Sequence, residues 1–271
     1  MEEHIKPITE WFNHLFGPLV LRFLHLLHLQ PLDYERPIPE YLLMCLFTLL
    51  LGTLFALFVR SRLSVDRPGP TQQIAELLLT NPLGFGIKDL LEENAGPHAS
   101  QFIAFTGSVS IFILLSNLLS IFPALSSPTG DTTVPFSCAL LTFLYFNWQG
   151  LRHHGLLGYA KQFAGPMPAL SPLIFPVEII STSARLLSLT VRLWANIFAS
   201  DLIYMIFLVI LVAPVSAAWQ KSPLLGIALG VFPAFIPMLF VGLHIFVSII
   251  QTYVFTVLPS IYLGQAIADE H

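Results

Sequence analysis

Glu178, Arg185 and Arg192 recur at intervals of seven in an otherwise greasy stretch, a spacing that an α-helix gathers within about 40° of one another. Asn196, one turn past Arg192, joins that face. Asp201, nine residues past Arg192, falls about 180° away in an ideal helix. A second apolar stretch puts His244, Ser248 and Gln251 on one face. Ionisable groups in such helices are expensive, and each needs a reason. Plain reasons exist for most: Arg185 can snorkel or pair with Glu178, Glu178 can favour a helix start, His244 can be satisfied by Asp201, and Gln251 can tie helices together. Arg192 resists them. A guanidinium keeps its proton, and at a bilayer centre it costs from about 3 to over 10 kcal/mol, so it must face an anion or water. Asp201 is poorly placed for that role, so the anion is expected on another chain.

If the two stretches are antiparallel neighbours, Arg192 comes level with Gln251. Asp201 then comes level with His244, about two turns nearer the outside, and Glu178 lies nearer the cytoplasm. That makes a ladder of titratable groups across a membrane, suited to moving protons rather than to making bonds.

The composition demands such a membrane. The chain is 55% hydrophobic and 10% charged, with net charge -4 and mean hydropathy +0.76, leaving too little polar surface for a soluble protein of 271 residues. No basic block argues for nucleic acid. Cys45 and Cys138 sit in apolar runs and read as buried free thiols, and no Cys/His spacing suggests a metal.

The elements that must hold the ladder follow from the order of apolar runs. Residues 1–38 read as an amphipathic interfacial segment without a cleavable leader, with Glu10, His14, Arg22, His25 and His28 within an arc of about 120°. A first transmembrane helix occupies 39–62, and Arg60, Arg62 and Arg67 place its end in the cytoplasm and the N-terminus outside. Residues 71–94 form two short amphipathic helices, broken at Asn81-Pro82 and Gly84, resting on the cytoplasmic surface. A transmembrane hairpin spans 100–152 and returns to the cytoplasm at Arg152, His153, His154 and Lys161. Residues 171–268 hold the two long helices. Val177 to Val212 lacks Gly and Pro and predicts a helix about 54 Å long, which exceeds a bilayer and implies either strong tilt, the favoured reading, or an unmarked turn. "APVSAAWQKSP" separates it from a second helix over Leu224 to Ala268, kinked at Pro233, Pro237 and Pro259. The expected fold is an all-α polytopic membrane protein with five crossings and a cytoplasmic C-terminus.

"SLTVRLWANIFASDL" resembles the arginine motif of the a subunit of F-type ATP synthases, Ser-Leu-x-x-Arg-Leu-x-x-Asn-x-x-Ala-x-x-Leu with an acidic residue near its end. "LHIFVSIIQTYVFTVLPSIYLGQAI" is similar to that family's last helix, "SNLLSIFPALSSPTGDTTVPFSCALLTF" to its hairpin and "GYAKQFAGP" to its cytoplasmic loop. The likeness runs from about residue 40 onward. It departs at Trp194-Ala195, where bacterial relatives often have Phe-Gly, and at Asp201, where many have Glu.

The resemblance implies a stator beside a rotating ring of c subunits, each bearing a membrane carboxylate, with peripheral stalk b subunits and the lipid bilayer as further partners. It implies an energy-transducing membrane, foremost the bacterial inner membrane, and neither a cofactor nor catalysis by this chain alone. Arg192 would be the essential coupling cation. Asn196, Asp201, His244 and Gln251 would line an outer proton path; Glu178, Ser181, Thr182 and Ser183 would border a cytoplasmic one, with Arg185 and Ser248 accessory. The rival is a secondary transporter with a midplane anion site at Arg192, which predicts inverted repeats and broken half-helices that the stretch around Arg192 lacks. An intramembrane enzyme would need a fuller catalytic set than His244 and Asp201.

Overall fold

The computed structural model describes residues 7–26, 30, 33–34, 36–64, 68–80, 86–122, 125–164 and 170–268. His28, Arg67, the Asn81-Pro82 and Gly84 break and Gly165-Pro166 of the loop motif lie outside them. Among the described residues every regular element is helical: α1 Pro7–Leu26, α2 Glu40–Ser61, α3 Pro70–Leu79, α4 Ile87–Ala95, α5 Ala99–Leu119, α6 Thr133–Ala164, α7 Ser171–Lys221 and α8 Pro223–Ile267. Single 3₁₀ turns at Gly96–His98 and Pro128–Gly130 precede α5 and α6.

Among the described residues four stretches are long and apolar enough to cross a membrane: Glu40–Ser61, Ile87–Leu119, Ser171–Lys221 and Met238–Ile267. The second arm of the expected hairpin, α6, is not among them. Asn147, Gln149 and Arg152 dilute its apolar run, and at Gly155 the backbone leaves helical geometry (φ 71°, ψ 171°), a conformation that favours glycine.

The long helices exceed the expectation. α7 is one unbroken helix of 51 residues, about 77 Å at the usual rise, so the stretch expected to separate it from α8 is helical almost to its end. Only Ser222 intervenes, with extended backbone, before Pro223 opens α8 at a position where its missing N–H costs nothing. Gly226 faces Trp219 so closely that an added Cβ would sit 3.0 Å from the Trp219 Cα, and this lets the chain reverse at once. Contacts between Phe207 and Phe240, Ser200 and His244, Asn196 and Gln251, and Arg185 and Tyr262 then follow in antiparallel order.

In lipid, helices associate through close packing and polar contacts rather than through water exclusion. Leu189, Leu193 and Ile197 on α7 are essentially fully buried, and the two leucines pack with Ile113 of α5, Ala139 of α6 and Phe255 of α8. A second cluster joins α4, α5, α6 and α8 around Leu91, Phe102, Phe146 and Leu263. α4 is therefore docked into the bundle rather than laid loosely beside it. Any side chain at Gly264 would strike the Asn94 carbonyl, and Asn94 Nδ2 donates to Ser260 Oγ (3.2 Å). α1 is tied down as well: Asn13 Nδ2 donates to the Ile38 carbonyl and Asn13 Oδ1 accepts from the Ile38 N–H, both at 2.9 Å.

Candidate functional site

The buried face of α7 is set by Leu186, Leu189, Leu193 and Ile197, spaced by three and four. Arg192 precedes Leu193 by one residue, about 100° round the helix, and so leaves the buried face and is exposed. Its one hydrogen bond among the described residues is long, 3.4 Å to Ser188 Oγ, and no carboxylate of these residues pairs with it. Trp194, where the motif departs, is half-buried and stacks on Phe198 with centroids 5.2 Å apart.

Arg185, two turns earlier, has a different setting. It lies 3.9 Å from Glu178 Oε1, and its guanidinium carbon sits 4.7 Å above the Tyr262 ring of α8. Both residues line a cleft of 80 Å³ with Thr182, Tyr159, Tyr262 and Gln265, ample for water. Tyr159 reaches this cleft because the Gly155 break turns the end of α6 back on itself. Its hydroxyl donates to Asn147 Oδ1 (2.9 Å), and its ring packs against Gly150. Burial raises the Tyr159 phenol above its ordinary range, opposed by Arg185 and assisted by Glu178. Of the three neighbouring hydroxyl residues on α7, Thr182 is buried against the cleft while Ser181 and Ser183 are exposed.

Toward the α7–α8 turn the polar residues converge. Asn196 Nδ2 donates to Gln251 Oε1 (2.7 Å), so Asn196 meets the residue that depth matching set level with Arg192. His244 is buried between α5 and α7. Its Nδ1 lies 2.8 Å from Ser200 Oγ, its Nε2 2.8 Å from Ser120 Oγ and 3.0 Å from the Asn117 carbonyl. Ser200, the neighbour of Asp201, is thus the α7 side chain bonded to the imidazole. Asp201 itself is exposed, with Oδ2 3.9 Å from where a Cβ on Gly130 would stand. Ser248 commits its hydroxyl to the His244 carbonyl (2.7 Å) and is fully buried.

Sequence reasoning passed over the α5 side of this cluster. The turn at Pro128–Gly130 folds into the bundle: Thr129 is fully buried and donates to Asn117 Oδ1 (2.6 Å), and Ser127 donates to the Ser116 carbonyl (2.9 Å). The signal was present as Ser116, Asn117 and Ser120 at the end of an apolar helix, whose last carbonyls have no intrahelical donors. Deeper in the bundle, Ser110 and Thr256 hydroxyls join α5 to α8 at 2.7 Å. Ser116 Oγ, Asn117 Nδ2 and Gln251 Nε2 are buried without a hydrogen-bond partner among the described residues. A bare buried polar atom costs about 1–3 kcal/mol, and roomy polar interiors meet that need with bound water. Among the described residues no cluster of three metal-ligating side chains exists.

The profile of the ATP synthase A chain family matches residues 41–264. A protein named ATP synthase subunit a from Koribacter versatilis is 35% identical over 270 residues, covering 98% of this chain and 99% of the relative. One of the same name from Solibacter usitatus is 38% identical over 236 residues, covering 87% and 90%. Another from Sulfurihydrogenibium is 30% identical over 234 residues, covering 86% and 99%.

Proposed function

This chain belongs to the ATP synthase A chain family, a membrane-sector component of the ATP synthase, and from that premise we propose that it couples proton flow to rotation of a c-ring through Arg192. The observation that carries the reading is a permanent cation exposed on a helix of largely apolar composition, bonded only to Ser188 among the described residues. Large exposed apolar surfaces mark partners or lipid, and a charge held there needs a visiting anion. A carboxylate on each ring subunit meets that need. Passing Arg192, it has its pKa lowered, gives up its proton and forms a transient ion pair, and the same charge bars protons from crossing directly.

Access to the ring comes by two offset half-channels. Asn196, Asp201, His244 and Gln251 border the outer one, with Ser248 accessory. Glu178 and the cleft at Thr182 and Arg185 border the cytoplasmic one, flanked by Ser181 and Ser183. α7 and α8 lie strongly tilted along the ring. α6 up to about Leu151 supplies the fifth crossing, putting the N-terminus outside and the C-terminus in the cytoplasm of a bacterial inner membrane. The segments divide as an interfacial stretch over 1–38, a first crossing over 39–62, short helices over 71–94, the hairpin over 100–152 and the ring-facing pair over 171–268, with b subunits of the peripheral stalk bound to the same chain. Each proton falling through 100 mV releases about 2.3 kcal/mol for rotation.

The test is ATP-driven proton pumping in inverted vesicles carrying Arg192→Ala, read together with the amount of assembled complex. Assembled complexes should not pump. Normal pumping by them refutes the role of Arg192.

A further inference from the structure

We propose that Ser200 is the proton relay to His244: its hydroxyl is the group through which a proton reaches and leaves Nδ1. The inference rests on the outer path proposed above and assigns a residue within it that the spacing of ionisable groups did not mark.

The hydrogen bonds settle which ring nitrogen is open. The Asn117 carbonyl has no proton to give, and it lies 3.0 Å from Nε2, so Nε2 must carry the hydrogen. Ser120 agrees with this, since its own hydroxyl donates to the same carbonyl at 3.0 Å and leaves its oxygen to accept from Nε2 at 2.8 Å. Asn117 lies in the last turn of α5, where carbonyls lack intrahelical donors, so the carbonyl is free to hold the ring. Nε2 is thereby held as a donor, shared between the Asn117 carbonyl and the Ser120 oxygen, and keeps its hydrogen in both states of the ring.

Nδ1 is the nitrogen left to accept a proton, and Ser200 Oγ, at 2.8 Å, is its hydrogen-bond partner. In the neutral ring Ser200 donates to Nδ1; in the imidazolium Nδ1 donates to Ser200. A hydroxyl serves both states by rotating, which a methyl cannot do and a carboxylate does only in one direction.

The transfer balances simply. A hydrated proton from the outer aqueous phase bonds to Ser200 Oγ as the hydroxyl's own proton passes to Nδ1. The products are water, an unchanged serine and an imidazolium, and the return step reverses each bond. Asp201 follows Ser200 in the chain, its Oδ2 3.9 Å from where a Cβ on Gly130 would stand.

The experiment compares Ser200→Ala, Ser200→Gly and Ser200→Thr in the intact complex, by ATP-driven pumping in inverted vesicles per assembled complex, with Arg192→Ala in parallel. Ser200→Ala and Ser200→Gly should pump about tenfold more slowly, the scale of one lost hydrogen bond, while Ser200→Thr, which keeps the hydroxyl and adds bulk, should stay within about twofold of the parent. Ser200→Ala added to His244→Leu should slow pumping no further than His244→Leu alone. Parental rates in Ser200→Ala, or equal slowing in alanine and threonine variants, overturn the relay. If Arg192→Ala is then still inactive, the proposed function stands without it; if Arg192→Ala pumps, that function falls as well.

Discussion

Arg185 and Arg192 share a helix, a face and a spacing of two turns, yet one is held and the other is offered. Opposite Arg185 the α8 helix presents Tyr262, and Glu178 lies within 3.9 Å on α7. Arg192 is exposed, and its one hydrogen bond among the described residues is the long one to Ser188 Oγ. The polar side chains that might have received it are engaged elsewhere: Gln251 Oε1 accepts from Asn196, and the His244 ring is bound by Ser200, Ser120 and Asn117. A guanidinium's role is thus decided by what the facing helix leaves uncommitted.

The largest expected effect comes from exchanging the two treatments. Arg192→Gln should lower pumping by more than about a hundredfold, and Arg192→Lys should not restore it, because a lysine can shed its charge where an arginine cannot. Arg185→Gln should lower it only about twofold to threefold, since a half-exposed ion pair 3.9 Å apart contributes little. Equal losses at the two positions would erase the distinction.

Next is the contact that keeps Gln251 away from Arg192. Gln251→Leu removes the acceptor of the exposed Asn196, at about 0.5–1.5 kcal/mol, and should lower both pumping and the melting temperature of the assembled complex. Unchanged melting would mean that Asn196 finds another partner.

A smaller effect attends Tyr262. Tyr262→Leu removes the ring under Arg185, worth about 0.5–2 kcal/mol, and a double-mutant cycle with Arg185→Gln on complex stability should show coupling in that range. No coupling would mean that Glu178 alone holds Arg185.

The smallest effect is at the cleft's far wall. The folded state raises the Tyr159 phenol, so it holds that proton more tightly than the unfolded chain does. Its contribution is complete below the ordinary tyrosine value of about 10 and fades as pH climbs through the raised one. Tyr159→Phe should remove that alkaline drop in stability and cost about 1 kcal/mol at neutral pH, from the lost bond to Asn147.

Much of the fold was legible because apolar runs of membrane length admit few alternatives to helix. α2, α5, α7 and α8 fall where the runs are. Two features were not legible. The region between Val212 and Pro223 looked like a loop because Pro214 and Ser216 read as breakers, yet proline is tolerated within long membrane helices. α4 looked like a surface piece because Glu92 and Glu93 are charged, while Leu90 and Leu91 on its other side are buried in the bundle. Within the site, the ionisable residues and the neutral ones at helical spacing from them, Asn196, Ser248 and Gln251, were legible, and others were not. Ser200, Ser120 and Asn117 are common side chains, and only their convergence on one imidazole gives them meaning.

From sequence alone come the membrane, the helices, the row of charged residues on α7 and the need for an anion beyond Arg192, since these depend on hydropathy, the 3.6-residue period and a guanidinium that cannot be discharged. The tertiary structure decided the pairings: Asn196 rather than Arg192 on Gln251, Ser200 on His244, Glu178 on Arg185. Hydrogen bonds are directional and act within about 3 Å, so a register shift of one residue, invisible to periodicity, determines which partner is reached.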